Sequence, residues 1–256
     1  MKKKFPFAVL FMFLLSLVSL SLIAQNETQL ILSFEDNVKP GKTTQYEDVA
    51  KKQVELFKKY NFKFPFGVYN TDDNFYMWNT PIDNLGVADD VFKEFEAFDT
   101  KLKENNEIDL QIAYKGLYNS MMVRTIVYSP ELSYIPEEPR LKESEAVYQR
   151  IFFCYLYPGE DAEFYQKTLK YIAYFKEANA ISGFKTFLGG IGWESPVIIY
   201  VESYKNAMDL ITTREEIFKD MDPKLFELWE DMQQHIKKME IKICWYRPDL
   251  SYIPEN

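Results

Sequence analysis

Apolar residues recur along the chain with two distinct periods. In residues 30–38, Leu30, Leu32, Phe34 and Val38 fall on one parity and Ser33, Glu35 and Asn37 on the other, which predicts a strand with unlike faces. A helix is expected over 44–60, then a hairpin of strands at 66–69 and 75–80, a helix over 87–103 and a strand over 121–128. The same order follows. An aromatic strand at 149–157 ends at Pro158-Gly159, and Asp161 can cap a helix in which Phe164, Thr168, Tyr171, Ile172 and Phe175 repeat at three- and four-residue spacing. Ser182-Gly183 stops that helix near 181. Strands over 184–189 and 197–202 form a hairpin, a helical stretch over 204–237 is interrupted at Asp222-Pro223, and 239–246 is the last strand.

The repetition is also written in the letters. Residues 128–137 and 246–255, Tyr-Ser-Pro-Glu-Leu-Ser-Tyr-Ile-Pro-Glu and Tyr-Arg-Pro-Asp-Leu-Ser-Tyr-Ile-Pro-Glu, agree at eight of ten positions at an offset of 118. At that offset Phe34 falls on Phe152, Pro40-Gly41 on Pro158-Gly159, Phe57-Lys58 on Phe175-Lys176, Asn61 on Asn179 and Phe66 on Phe184. An internal duplication accounts for all of these. Each copy reads β-α-β-β-α-β, the ferredoxin-like order. The expected units are 25–138 and 148–256, joined by the charged, proline-containing linker 139–147.

A sheet with one solvated face shows polar–apolar alternation. Residues 151–157 do not alternate, so both faces of that strand are expected to be buried, one of them by the other unit. With this element order doubled, the chain resembles the dimeric α+β barrel superfamily, fused in tandem as a pseudo-dimer. The resemblance implies an α+β fold of two ferredoxin-like units packed sheet to sheet, with a small molecule held between the sheets. It also implies that the duplicated tails reach over the opposite unit, although paired surface turns remain the alternative.

Strand parity then selects cleft residues. Glu35, Phe153 and Tyr155 are expected inside from the first strands, and Arg124, Tyr128, Lys242, Cys244 and Tyr246 from the last. From the third strands Tyr76, Trp78, Tyr200 and Glu202 are chosen, because amphipathic and charged tips suit a wet cavity. Glu35 and Arg124 should meet. They make either a structural ion pair or a proton acceptor beside an anion anchor, and are the weak catalytic candidates. Cys154 and Cys244 are expected on opposite faces, as buried thiols and not a disulfide.

Composition narrows the rest. Met1-Lys-Lys-Lys4 followed by an apolar run to Ile23-Ala24 reads as a secretory signal peptide over 1–24, so a secreted or periplasmic protein is expected. Without it, 27 basic residues face 39 acidic ones, a net charge of −12. That balance disfavours nucleic acid and anionic membranes as partners. One histidine, His235, is expected exposed on a helix; with no His/Cys cluster, neither a metal nor a cofactor is expected. Gly41-Lys42-Thr43 lacks the upstream glycine of a P-loop, and Gly189-Gly190-Ile-Gly192 lies in a hairpin. The leading expectation is an exported small-molecule-binding or accessory protein. The alternatives are a cofactor-independent monooxygenase- or isomerase-like enzyme on a small aromatic or carbonyl compound, and a surface interaction protein.

Overall fold

A computed structural model describes residues 27–219 and 221–255. The segment read as a signal peptide lies outside the described residues, and no described helix is long and apolar enough to cross a membrane. The first half runs β1 (Gln29–Val38), α1 (Thr43–Lys59), β2 (Gly67–Thr71), β3 (Phe75–Ile82), α2 (Leu85–Glu104), a short α3 (Leu110–Tyr114) and β4 (Tyr118–Tyr128). The second runs β5 (Tyr148–Leu156), α4 (Asp161–Glu177), β6 (Phe184–Gly189), β7 (Val197–Tyr204), α5 (Ala207–Lys219), α6 (Lys224–Gln233) and β8 (Ile236–Tyr246). Asp222-Pro223 does break the late helix in two. At α4 the cap residue is Glu160, which makes no side-chain cap bond, while Asp161 sits in the first turn. The duplicated turns share backbone geometry: Gly41 and Gly159, and Asn61 and Asn179, all have positive φ.

The strands form one closed antiparallel barrel in the order β1-β3-β2-β8-β5-β7-β6-β4. The fold is thus mixed α+β, but the sheets do not simply face each other across a cleft. They join edge to edge through two short seams. Tyr69–Thr71 of β2 pairs with Cys244–Tyr246 of β8, and Ile126–Tyr128 of β4 with Phe187–Gly189 of β6. Closure removes the unpaired edges that an open sheet would expose.

Three apolar clusters follow from this geometry. One lies between the first-half strands and helices, around Phe57, Phe62, Phe66 and Trp78. A second fills the equivalent layer of the other half, around Phe164, Ile172, Phe175 and Phe184. The third is inside the barrel, with Ile151, Phe153, Tyr155, Val197, Ile199 and Cys244. The non-alternating strand is explained: β5 sends Cys154 and Leu156 outward and Phe153 and Tyr155 inward. Cys154 and Cys244 are free and belong to different clusters.

The duplicated tails cross over, each to the opposite half. Tyr252 exchanges backbone hydrogen bonds with Phe66, and its hydroxyl donates to the Phe62 carbonyl at 2.8 Å. Tyr134 does the same with Phe184, and donates to the Ala180 carbonyl at 3.0 Å. Ser251 Oγ accepts from the Val68 amide, as Ser133 Oγ does from Thr186. Leu132 and Leu250 are fully buried. The tails are internal clasps, not paired surface turns.

Candidate functional site in the barrel

A cavity of about 720 Å³ opens within the barrel. Glu35 enters it from β1 and Arg124 from the neighbouring strand β4. Parity brings them together, and Arg124 Nη1 donates to Glu35 Oε2 at 2.9 Å. Glu35 is only 4 % exposed. Burial pushes its pKa up, because a desolvated carboxylate is penalised. The charges of Arg124 and Lys242 and hydrogen bonds from Ser33 and Arg124 oppose that rise without cancelling it.

The β6–β7 hairpin sets the far wall. Gly190 and Ile191 donate to Thr125, and Thr125 donates to the Ile191 carbonyl, so the loop continues the sheet beside β4. Gly192 has φ +85°, and a Cβ there would stand 2.7 Å from the Val123 carbonyl oxygen. This close approach lays Trp193 under Arg124, whose guanidinium sits 4.1 Å from the ring centre, and against Phe153.

Lys242 is the counterpart of Arg124 at the offset of 118. It bonds Asp73 of the β2–β3 turn at 2.7 Å and lies 4.3 Å over the Phe75 ring. Burial opposes ionisation of Asp73, but hydrogen bonds from Lys242 and Thr71 outweigh it and hold the carboxyl below its usual range. Tyr155 also lines the cavity, with Lys238 4.9 Å over its ring and paired to Glu240. The arrangement offers one carboxylate whose proton affinity is raised, three cations (Arg124, Lys238 and Lys242), and aromatic walls. That suits binding a polarisable molecule and moving a proton.

Of the residues selected by sequence, Glu35, Arg124, Phe153, Tyr155 and Lys242 meet in this cavity. Tyr128 and Tyr246 are inward but stand at the two seams, across from Phe187 and Tyr69. The third-strand choices are corrected. Tyr76 and Trp78 point to the helices, and Phe75 and Met77 line the barrel instead. Tyr200 and Glu202 also lie on the helix side, at a separate cavity, while Val197, Ile199 and Val201 point inward. The polar tips find partners on helices and not in a wet cleft. Trp78 Nε1 donates to Tyr46 Oη at 2.9 Å, Tyr76 Oη to Glu47, and Tyr200 pairs with Thr168 at 2.8 Å. Sequence reading missed Trp193, Asp73 and Glu240, which come from turns and from a strand of mixed character.

His235 is not an exposed helix residue. It follows α6 and is buried, with Nδ1 2.5 Å from Glu160 and Nε2 accepting from Lys167 at 2.6 Å. Glu160, Glu163 and His235 lie close enough to hold an ion. The ammonium of Lys167 already bonds His235, Glu163 and Asp231 there.

No family model and no curated protein matches the sequence. Solved structures do resemble the fold. An anthrone oxidase-like protein matches with a TM-score of 0.57 and 9 % identity over 87 % of this chain and 93 % of its own. A candidate monooxygenase from Lactobacillus acidophilus matches at 0.52 and 10 % identity, over 90 % and 100 %. Another from Fusobacterium nucleatum matches at 0.50 and 10 %, over 86 % and 92 %. These neighbours carry names of oxidative enzymes, which corrects the leading expectation of an accessory protein without chemistry. The surface-interaction alternative is set aside with it. At such identities the likeness is one of architecture alone, the α+β barrel that the sequence resemblance implied.

Proposed function

We propose that this protein is a cofactor-independent enzyme that abstracts a proton from a small aromatic or carbonyl compound, of the monooxygenase or isomerase type. The observation that carries the reading is the buried Glu35 beside Arg124 in an aromatic-walled cavity. Glu35 takes the proton from an activated C–H, and the electron pair moves onto the substrate oxygen, where Arg124 and Lys242 stabilise the charge. In an isomerisation the proton returns at another carbon. In an oxygenation the carbanion gives its electrons to dioxygen; a CH2 becomes C=O, one oxygen atom enters the product and the other leaves as water. The oxidative names of the structural neighbours support this second branch. The duplicated element order further supports two tandem ferredoxin-like units, 25–138 and 148–256, joined through 139–147.

Anthrone, a carbon acid of the right kind, serves as the probe. The chain should accelerate deuterium exchange at its CH2 and oxygen uptake, and Glu35→Gln should lower both roughly a hundredfold or more. Undiminished exchange in Glu35→Gln would remove Glu35 from the chemistry. A variant that exchanges normally but takes up no oxygen would favour isomerisation.

A further inference from the structure

The two halves are not filled alike. In the first, the layer between strands and helices is packed with phenyl rings: Phe57, Phe62, Phe66, Phe95 and Phe98 all stand within ring contact. In the second, the same layer contains a cavity of about 350 Å³ walled by Phe152, Phe175, Phe184, Tyr200, Phe218 and Trp229. The polar end differs too. The cross-strand pair Leu32 and Thr80, both buried, is replaced at the corresponding positions by Arg150 and Glu202.

Arg150 and Arg214 share one carboxylate. Arg214 holds Glu202 at 2.8 and 3.1 Å, and Tyr204 donates to it at 3.0 Å. Arg150 is left with a single 3.9 Å approach to Glu202 and the face of Phe152, with no hydrogen-bond partner among the described residues. A half-buried guanidinium with unused donors, at the rim of an aromatic cavity, is one charge short of neutral.

We propose that this second cavity binds a small aromatic carboxylate, its ring between Phe152, Phe218 and Trp229 and its carboxylate on Arg150. Burial and the neighbouring Arg214 charge both disfavour the cation at Arg150, and a bound anion relieves that penalty. A planar guanidinium matches a carboxylate in two parallel hydrogen bonds, which an amide or ester does not reproduce. The volume lies at the small end of ligand cavities, which favours a single ring with a short acid chain. The site is separate from the barrel cavity, though Ile241 of β8 borders both.

The test uses cinnamate and cinnamide on the full chain, followed by titration calorimetry and by Trp229 fluorescence. Cinnamate should bind saturably, with cinnamide at least tenfold weaker. Arg150→Gln should weaken cinnamate at least tenfold and leave cinnamide unchanged. Glu202→Gln, which frees Arg214 for the ligand, should tighten cinnamate; this opposite sign cannot come from a loss of folding. Equal affinity for acid and amide, no binding at millimolar cinnamate, or loss of binding on Arg124→Gln but not Arg150→Gln would overturn the proposal. None of these outcomes depends on Glu35 acting as a base, which oxygen uptake by Glu35→Gln tests separately.

Discussion

Glu35 and Asp36 are adjacent on β1 and point to opposite sides of the barrel wall. Asp36 lies on the helix side, where Tyr46 donates to it at 2.7 Å and its second oxygen is buried without a partner. Burial raises its pKa to about 6. A carboxyl whose folded pKa is raised contributes stability that is fully present below the unfolded value and is lost as pH rises through 6. Asp36 should therefore withdraw about 2–3 kcal/mol between pH 4 and 7. Asp36→Asn keeps the acceptor for Tyr46 and should flatten that limb in urea melts recorded across the range. An unchanged slope would show Asp36 to be ionised normally. Glu35 shifts in the same direction, so the proposed activity should rise with pH along a limb displaced above the ordinary glutamate range. A limb at or below that range would count against Glu35 as the base. The parity of β1 was legible because its polar positions alternate with apolar ones. The parity of β3 and β7 was not, since Tyr and Trp suit either a wet cavity or a dry layer that supplies a partner for the tip.

Among the elements, the clasps and the β6–β7 hairpin carry the sharpest consequences. Tyr252 belongs in sequence to the second half but packs against Phe57 of the first. Tyr252→Ala should cost about 3–5 kcal/mol, and Tyr252→Phe, which loses only the bond to Phe62, about 1 kcal/mol. Hydrogen exchange should show the loosening in α1 and β2, and Tyr134→Ala should loosen α4 and β6 instead. Protection lost in the half that carries the mutated tail would contradict the crossing. Gly192→Ala should cost about 1–2 kcal/mol for its backbone conformation alone. It should also shift Trp193 away from Arg124, seen as a change in tryptophan fluorescence. The tail could be read in the sequence because two copies preserved it nearly letter for letter. The strands of the hairpin could be read as well; the approach of its loop to β4, which lays Trp193 under Arg124, could not, because the two halves fall out of register there and Gly189–Gly192 reads only as a turn.

At the scale of the molecule, the repeat pointed to two like units, and the unbroken apolar character of β5 showed that something must cover its second face. What it could not reveal was the mode of closure. Two open sheets facing each other and one closed barrel demand the same residues on β5; they differ only in whether β2 meets β8 and β4 meets β6. Those seams are short, and each takes one strand from either half. Together with the crossed tails they tie the halves at four places, none of which uses the peptide chain between them. The linker is then the most dispensable connection in the molecule. A protease nick within 139–147 should leave a particle that elutes at its original size and melts as one unit, releasing two fragments only in denaturant. Fragments that drift apart under native conditions would mean that the covalent thread, and not the interleaving, holds the barrel shut. If the nicked form persists, the halves could be made as separate chains and mixed, and each would complete the other.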